Sequence, residues 1–394
     1  MTSTIDEAHV RSLCEQLLDE LDPKEVEAKE FLGRQYDLGL AWVHFPEGYG
    51  GLGASPKLQK VVNETLGKAG APNAAVNNVI GYGMGAPTIV THGSEEQKQR
   101  YLRPLFTCEE IWCQLFSEPG AGSDVAGLAM KAVQDGDEWI VNGQKVWTTL
   151  AHLARFGMLV ARTNPDAPKH KGLTYFVVDM QAPGVEVMPL FQITGEAEFN
   201  EVFFTDVRIP DAERLSDPGD GWRVVLTTLM NERVAIGGGV PPRGGGFIGE
   251  CVKIWKEVGA TDPVKKDQLM KLWTDAEVLR LTNIRASQLR TAGTPGPEGS
   301  IGKVVSATLH QAIAEFTTEL LGPEGMLKPD GYPMERPKRP TMWANPQQAF
   351  LRTRANSIEG GTTEIAKNIL GERVLGLHGE VRTDKDVAWR EVPR

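Results

Sequence analysis

The hydrophobic period changes twice along this 394-residue chain, and the double change limits its fold more than any other feature. Up to about residue 110, apolar residues recur at three and four spacing in segments such as Val10 to Leu21, Lys24 to Tyr36 and Leu58 to Leu66. Gly or Pro separates these segments, so they predict helices. From about 111 to 215 the apolar runs become short or alternating, at Trp139 to Val141, Phe156 to Ala161, Thr174 to Val178, Val185 to Met188 and Val202 to Val207. These predict strands bounded by turns. From Gly221 onward long amphipathic segments return around Val224 to Ile236, Lys265 to Ala292, Ser300 to Leu321 and Ala349 to Leu375, the raw material of a helical bundle.

A chain of this length exceeds one simple core, so two or three domains are expected. Hydrophobic content of 41% and charged content of 24% are ordinary for globular proteins, which argues against disorder. The net charge of −10 argues against nucleic acid or an anionic membrane as the main partner, while local Arg and Lys can still hold an anionic small molecule. Cys14, Cys108, Cys113 and Cys251 are scattered, with neither metal-ligand spacing nor a disulfide framework, so they read as reduced thiols. No targeting stretch and no run of about eighteen apolar residues is present, and the expectation is a cytoplasmic protein without membrane insertion.

Two linked segments carry the chemistry. Ser117 to Asp124 (SEPGAGSD) is a compact turn of small residues whose amides and two hydroxyls suit an anion or a ring edge. About twenty residues on, an apolar strand, an Asn142-Gly143 turn and a second strand ending in Trp147, Thr148 and Thr149 are expected. Indole supplies a flat apolar wall and the threonines supply polar contacts, a pairing suited to a planar, phosphate-bearing cofactor.

In this order and spacing the segments resemble the acyl-CoA dehydrogenase family of flavoproteins, over nearly the whole chain. The resemblance implies an α+β fold: an N-terminal helical domain over 1–110, a central β-barrel or sandwich-like domain over 111–220, and a C-terminal four-helix bundle over 221–394. It implies non-covalent FAD, with Gln114, Phe116, Ser117, Gly122, Ser123 and Trp147, Thr148, Thr149 as cofactor contacts, and Ser123 near the CoA thioester as well. The implied reaction is α,β-desaturation of an acyl-CoA thioester, in which a carboxylate removes the α-proton while hydride leaves the β-carbon. Electrons then pass to an electron-transfer flavoprotein.

Family members place the base either before the Gly-Thr of a C-terminal EGT motif or before an Arg in the first long helix of the C-terminal domain. Here Gly361-Thr362 puts Gly360, not Glu359, at the first position, while Asn231-Glu232-Arg233 fills the second. Glu232 is therefore the expected base and Glu359 the runner-up. The Gly360 backbone N–H is expected to polarise the thioester carbonyl, as an oxyanion donor does. Thr362, Thr363 and Glu364 are expected at the flavin, and Asn231, Arg233 and Gly361 at the substrate.

Glu319 to Gly325 (ELLGPEG) matches the family's QxxGGxG loop with two replacements, so Gly322 and Gly325 are expected to reach a neighbouring subunit's flavin. That implies a homodimer or homotetramer, with a heteromer as the alternative. One family element, Arg-x-x-Phe-Gly, is missing from the interval KEVGATDPVKKDQ, where Lys265 and Lys266 are the available cations. Its loss keeps open a flavin-binding, non-catalytic subunit of a heteromeric enzyme. An acyl-CoA oxidase or flavin monooxygenase relative is the other alternative. Finally, six glycines and two prolines between Gly237 and Gly246 should interrupt the helix that begins near the base.

Overall fold

A computed structural model describes residues 5–237, 240–291, 299–328, 334–337, 342–379, 381 and 384–393. The described residues belong to two compact units. One comprises Met1–Pro189, Phe199–Glu232 and Thr383–Arg394, and the other Leu190–Glu198 and Arg233–Arg382.

The first unit begins with helices α1 (Glu7–Glu20), α2 (Ala28–Asp37), α3 (Gln59–Lys68), α4 (Ala74–Asn77), α5 (Ala86–His92) and α6 (Glu95–Phe106). Local chemistry sets their starts. Asp6 caps α1 by accepting from the His9 N–H, and Ser94 with Gln97 forms a reciprocal capping box on α6. Apolar faces of α1, α2 and α3 close on Val10, Cys14, Leu17, Phe31 and Val62.

A seven-stranded mixed sheet follows: β1 (Trp112–Leu115), β2 (Lys131–Asp135), β3 (Glu138–Thr149), β4 (Phe156–Arg162), β5 (Leu173–Asp179), β6 (Val185–Leu190) and β7 (Phe199–Pro210). Its order is β1-β4-β2-β3-β7-β6, with β5 paired to β4. Strand β4 is buried at every residue, and alternation explains why. Met158 and Val160, with Tyr175 and Val177 of β5, pack on one face with the N-terminal helices; Leu159 and Ala161, with Phe176 and Val178, pack on the other.

The sequence-based hairpin at Asn142-Gly143 is not formed. Strand β3 runs straight through it, and the turn into β3 lies earlier, at Gly136-Asp137, where Asp135 pairs with Glu138. Asn142 is instead locked to the partner strand: its Oδ1 accepts from the Asp206 N–H and its Nδ2 donates to the Asp206 carboxylate, both at 2.9 Å. The Asn-Gly pair thus makes a bulge against β7, with Gly143 at φ 147° and Asp206 at φ 49°.

Helix α7 (Gly221–Gly237) lies in the first unit as far as Glu232. The second unit contains α8 (Phe247–Glu257), α9 (Pro263–Thr291), α10 (Gly299–Leu320), α11 (Pro346–Arg352) and α12 (Thr363–Arg373), with Ile248, Cys251, Leu269, Leu309, Ile313 and Phe316 in its core. Helix α7 stops at Gly237 and α8 starts at Phe247, so the expected interruption is present; residues 238 and 239 lie outside those described. The amphipathic stretch from Ala349 to Leu375 is not one helix. It breaks between Ser357 and Thr363, where Gly360 and Gly361 adopt φ 62° and 88° and Thr362 caps α12.

Candidate active site

Strand β1 delivers the SEPGAGSD turn. Glu118 and Ala121 exchange two backbone hydrogen bonds of 3.0 Å, closing the turn around Pro119 and Gly120. The buried Glu118 carboxylate accepts from the N–H groups of Ala129 (2.6 Å) and Met130 (2.9 Å) and from Lys145 Nζ (2.8 Å). Lys145 also donates to the Phe116 carbonyl at 3.0 Å, so one ammonium on β3 ties both shoulders of the loop. Complete burial pushes the Lys145 pKa down, against the opposing pull of Glu118. Sequence reading passed over this pair, because charged residues ordinarily lie at the surface. A lysine inside an apolar strand pattern was the available signal.

Ser117 is half-buried beneath this brace, its carbonyl accepting from the Val146 N–H at 2.9 Å, while Gly122 and Ser123 are exposed. A second irregularity of β3, between Lys145 and Thr148, turns Trp147 outward. Trp147 sits at φ 59°, rare for an aromatic residue, with 58% of its surface exposed and its ring edge-on to Phe199. Thr148 points inward and is buried; Thr149 is half-buried.

Among the described residues, the Thr148 hydroxyl and Gln114 Oε1 are buried without a hydrogen-bond partner. A buried orphan polar atom is costly unless something else satisfies it. An exposed indole on the strand that bonds to Ser117, with the exposed Gly122 and Ser123 of the turn, offers a flat apolar wall and polar groups, and on that ground these residues suit a flavin.

The Gln114 amide has a second role. Its Nε2 donates to Glu232 Oε2 at 3.1 Å, bringing the expected base on α7 onto the strand that feeds the turn. Neighbouring Asn231 bonds back to its own helix through the Thr227 carbonyl at 2.9 Å. The Arg233 side chain lies outside the described residues.

The other expected residues lie in the second unit. Both Glu359 carboxylate oxygens are held by the Arg352 guanidinium, at 3.1 and 2.9 Å, and Arg352 also pairs with buried Glu198 at 3.1 Å. Burial holds the Glu198 carboxyl above the usual carboxylate range even beside this arginine. Thr362 Oγ1 accepts from the Ile365 N–H, and the Thr363 hydroxyl donates to the Ser357 carbonyl, whereas Glu364 and Gly361 are exposed. Gly322 ends α10 at φ 58°; at Gly325 any Cβ would lie 2.4 Å from the Thr318 carbonyl oxygen, so only glycine fits.

Comparison with known proteins matches three consecutive family models, the acyl-CoA dehydrogenase N-terminal domain over residues 7–109, the middle domain over 113–207 and the C-terminal domain over 219–375. Acyl-CoA dehydrogenase FadE34 of Mycobacterium tuberculosis is 41% identical over 342 residues, which cover 86% of this chain but only 45% of that relative. Acyl-CoA dehydrogenase IpdE1 of the same organism is 37% identical over 350 residues, covering 87% of this chain and 86% of IpdE1. Among solved structures, the ChsE4-ChsE5 complex from M. tuberculosis contains a chain that superposes with a TM-score of 0.71 at 26% identity, covering 96% of this chain and all of that one. With its three domain models in order and relatives of this identity over most of its length, the chain belongs to the acyl-CoA dehydrogenase family of oxidoreductases.

Proposed function

We propose that this chain is an FAD-dependent acyl-CoA dehydrogenase whose base is Glu232, and that residues 1–110, 111–220 and 221–394 form its three domains. The observation that carries the reading is the 3.1 Å hydrogen bond from Gln114 to Glu232, set against the arginine fork that already occupies Glu359. Glu232 takes the α-proton of the thioester, and the Gln114 amide fixes the direction its carboxylate faces. Ser117, Ser123, Trp147, Thr148, Thr149 and the Gln114 carbonyl are the residues to hold FAD, which when bound accepts hydride from the β-carbon. The Gly360 N–H is the donor for the thioester carbonyl, where negative charge grows as the proton leaves.

The partners in this reading are an acyl-CoA thioester, an electron-transfer flavoprotein as oxidant of the reduced cofactor, and a second family chain. FadE34 supports the last of these, since the aligned 342 residues are 45% of a chain about twice that length, and ChsE4-ChsE5 is itself a complex of two proteins. A heteromer would also supply from the partner what the missing Arg-x-x-Phe-Gly element lacks here.

Anaerobic titration of the purified protein with acyl-CoA thioesters tests the reading. Bleaching of a flavin spectrum by a thioester, and its loss in Glu232→Gln, is the expected result. A folded protein that stays colourless after incubation with FAD, alone and with a co-expressed family chain, would overturn it.

A further inference from the structure

The peptide joining Glu359 to Gly360 is gripped from its carbonyl side. Lys303, on α10, places its Nζ so that it donates to the carbonyl oxygens of Asn356, at 2.6 Å, and of Glu359. The Glu359 carbonyl and the Gly360 N–H belong to one planar amide and point in opposite directions. A cation seated on the oxygen therefore fixes where the N–H aims. It also draws electron density through the conjugated amide, which makes that N–H a stronger donor.

The surrounding loop is held at both ends. Arg352 pins the Glu359 side chain with two bonds, and Thr362 caps the following helix. Between those anchors Gly360 and Gly361 are both left-handed, at φ 62° and 88°, a path that side-chain-bearing residues rarely follow. The amide is thus presented by a short, fixed stretch of backbone with no Cβ at its nitrogen's own residue.

We propose that Lys303 is a positioning residue for the reaction: its ammonium orients and polarises the Glu359–Gly360 peptide so that the Gly360 N–H can stabilise an enolate-like thioester oxygen. The inference rests on the acyl-CoA reading above and deepens it. Lys303 touches neither substrate nor cofactor in this account. Removing one direct oxyanion donor costs about a hundredfold to a thousandfold in turnover, so losing only the polarising cation should cost less, about tenfold to a hundredfold in kcat with KM little changed.

The test uses the FAD-loaded protein in its native assembly and acetoacetyl-CoA, a thioester whose acidic α-carbon gives a spectroscopically distinct enolate without net redox chemistry. The pH midpoint of enolate formation is measured on the unaltered protein, Lys303→Met and Lys303→Arg. The expected result is a midpoint about one pH unit higher in Lys303→Met, a tenfold loss of enolate stabilisation, and most of it restored by Lys303→Arg. Should Lys303→Met not fold, Lys303→Gln retains a neutral donor for the same carbonyls and should shift the midpoint in the same direction. A lysine that merely ties the loop would lower the melting temperature and leave the midpoint where it was; that result overturns the proposal. An unaltered protein that forms no enolate with acetoacetyl-CoA and is reduced by no acyl-CoA would instead bring down the thioester reading, and this inference with it.

Discussion

Glu232 and Glu359 are the two carboxylates that family resemblance offers as base. Glu232 accepts from the Gln114 amide at 3.1 Å, while both oxygens of Glu359 are held by a guanidinium that also serves Glu198. Glu232→Gln keeps the shape and removes the base, so flavin reduction by acyl-CoA in stopped-flow should slow on the order of a hundredfold or more while FAD stays bound. Glu359→Gln should leave the rate within a few-fold and show instead as lower stability, because it loosens an ion pair around a buried arginine. The reverse pattern would move the base to the C-terminal loop. A second residue-scale consequence concerns Lys145. Lys145→Met strands the Glu118 carboxylate inside the protein, at a cost of about 3 to 5 kcal/mol. Thermal unfolding should show it, accompanied by weaker FAD retention, since the same bonds hold the Ser117 to Asp124 turn. An unchanged melting temperature would mean that the pair does not brace the turn.

At the level of elements, α8 and α10 provide a pH-dependent contact that can be measured. His310 stacks on Phe247 with ring centroids 4.1 Å apart, and burial pulls its pKa from 6.5 down to about 4. The unfolded imidazole takes a proton below 6.5 and the folded one does so only near 4. The stability from keeping it neutral is therefore complete above pH 6.5 and is lost as pH falls toward 4, about 3 kcal/mol in all. Denaturant unfolding followed from pH 7 to 4.5 should reveal the slope, and His310→Phe, which keeps the stack, should flatten it. Elements also show what the sequence could and could not reveal. Strands β4 and β5 were legible because burial on both faces writes a continuous apolar run. The Asn142-Gly143 pair is ambiguous because a bulge and a hairpin ask for the same residues, and only the pairing with Asp206, sixty-four positions away, decides between them. The α11–α12 break is hidden for a related reason: amphipathic spacing continues across the Gly360-Gly361 pair. Gln114 and Glu232 are 118 residues apart, and no local pattern announces their contact.

For the whole molecule, the open variable is the acyl group, and the interruption after α7 gives it a physical handle. Glycine costs about 1 kcal/mol and proline about 3 kcal/mol inside a helix, so a stretch with six glycines and two prolines disfavours one helix from α7 to α8, and residues 240–246 lie outside any helix. By family resemblance this interval borders the acyl pocket. Here it holds Gly244 and Gly246 at φ 68° and 69°, with the Gly244 N–H donating to Glu277 at 3.1 Å, so a turn stands at the expected interruption. A wall built from a turn of small residues leaves more width than a helix face studded with side chains. The predicted substrates are branched, aromatic or ring-bearing thioesters rather than one straight-chain length. Turnover of butyryl-, octanoyl-, palmitoyl- and bulky cyclic acyl-CoA under one electron acceptor measures this. Higher kcat/KM on the bulky set is the expected outcome. Sharp preference for a single linear chain, with no activity on ring-bearing thioesters, would show that the interruption lies away from the acyl group.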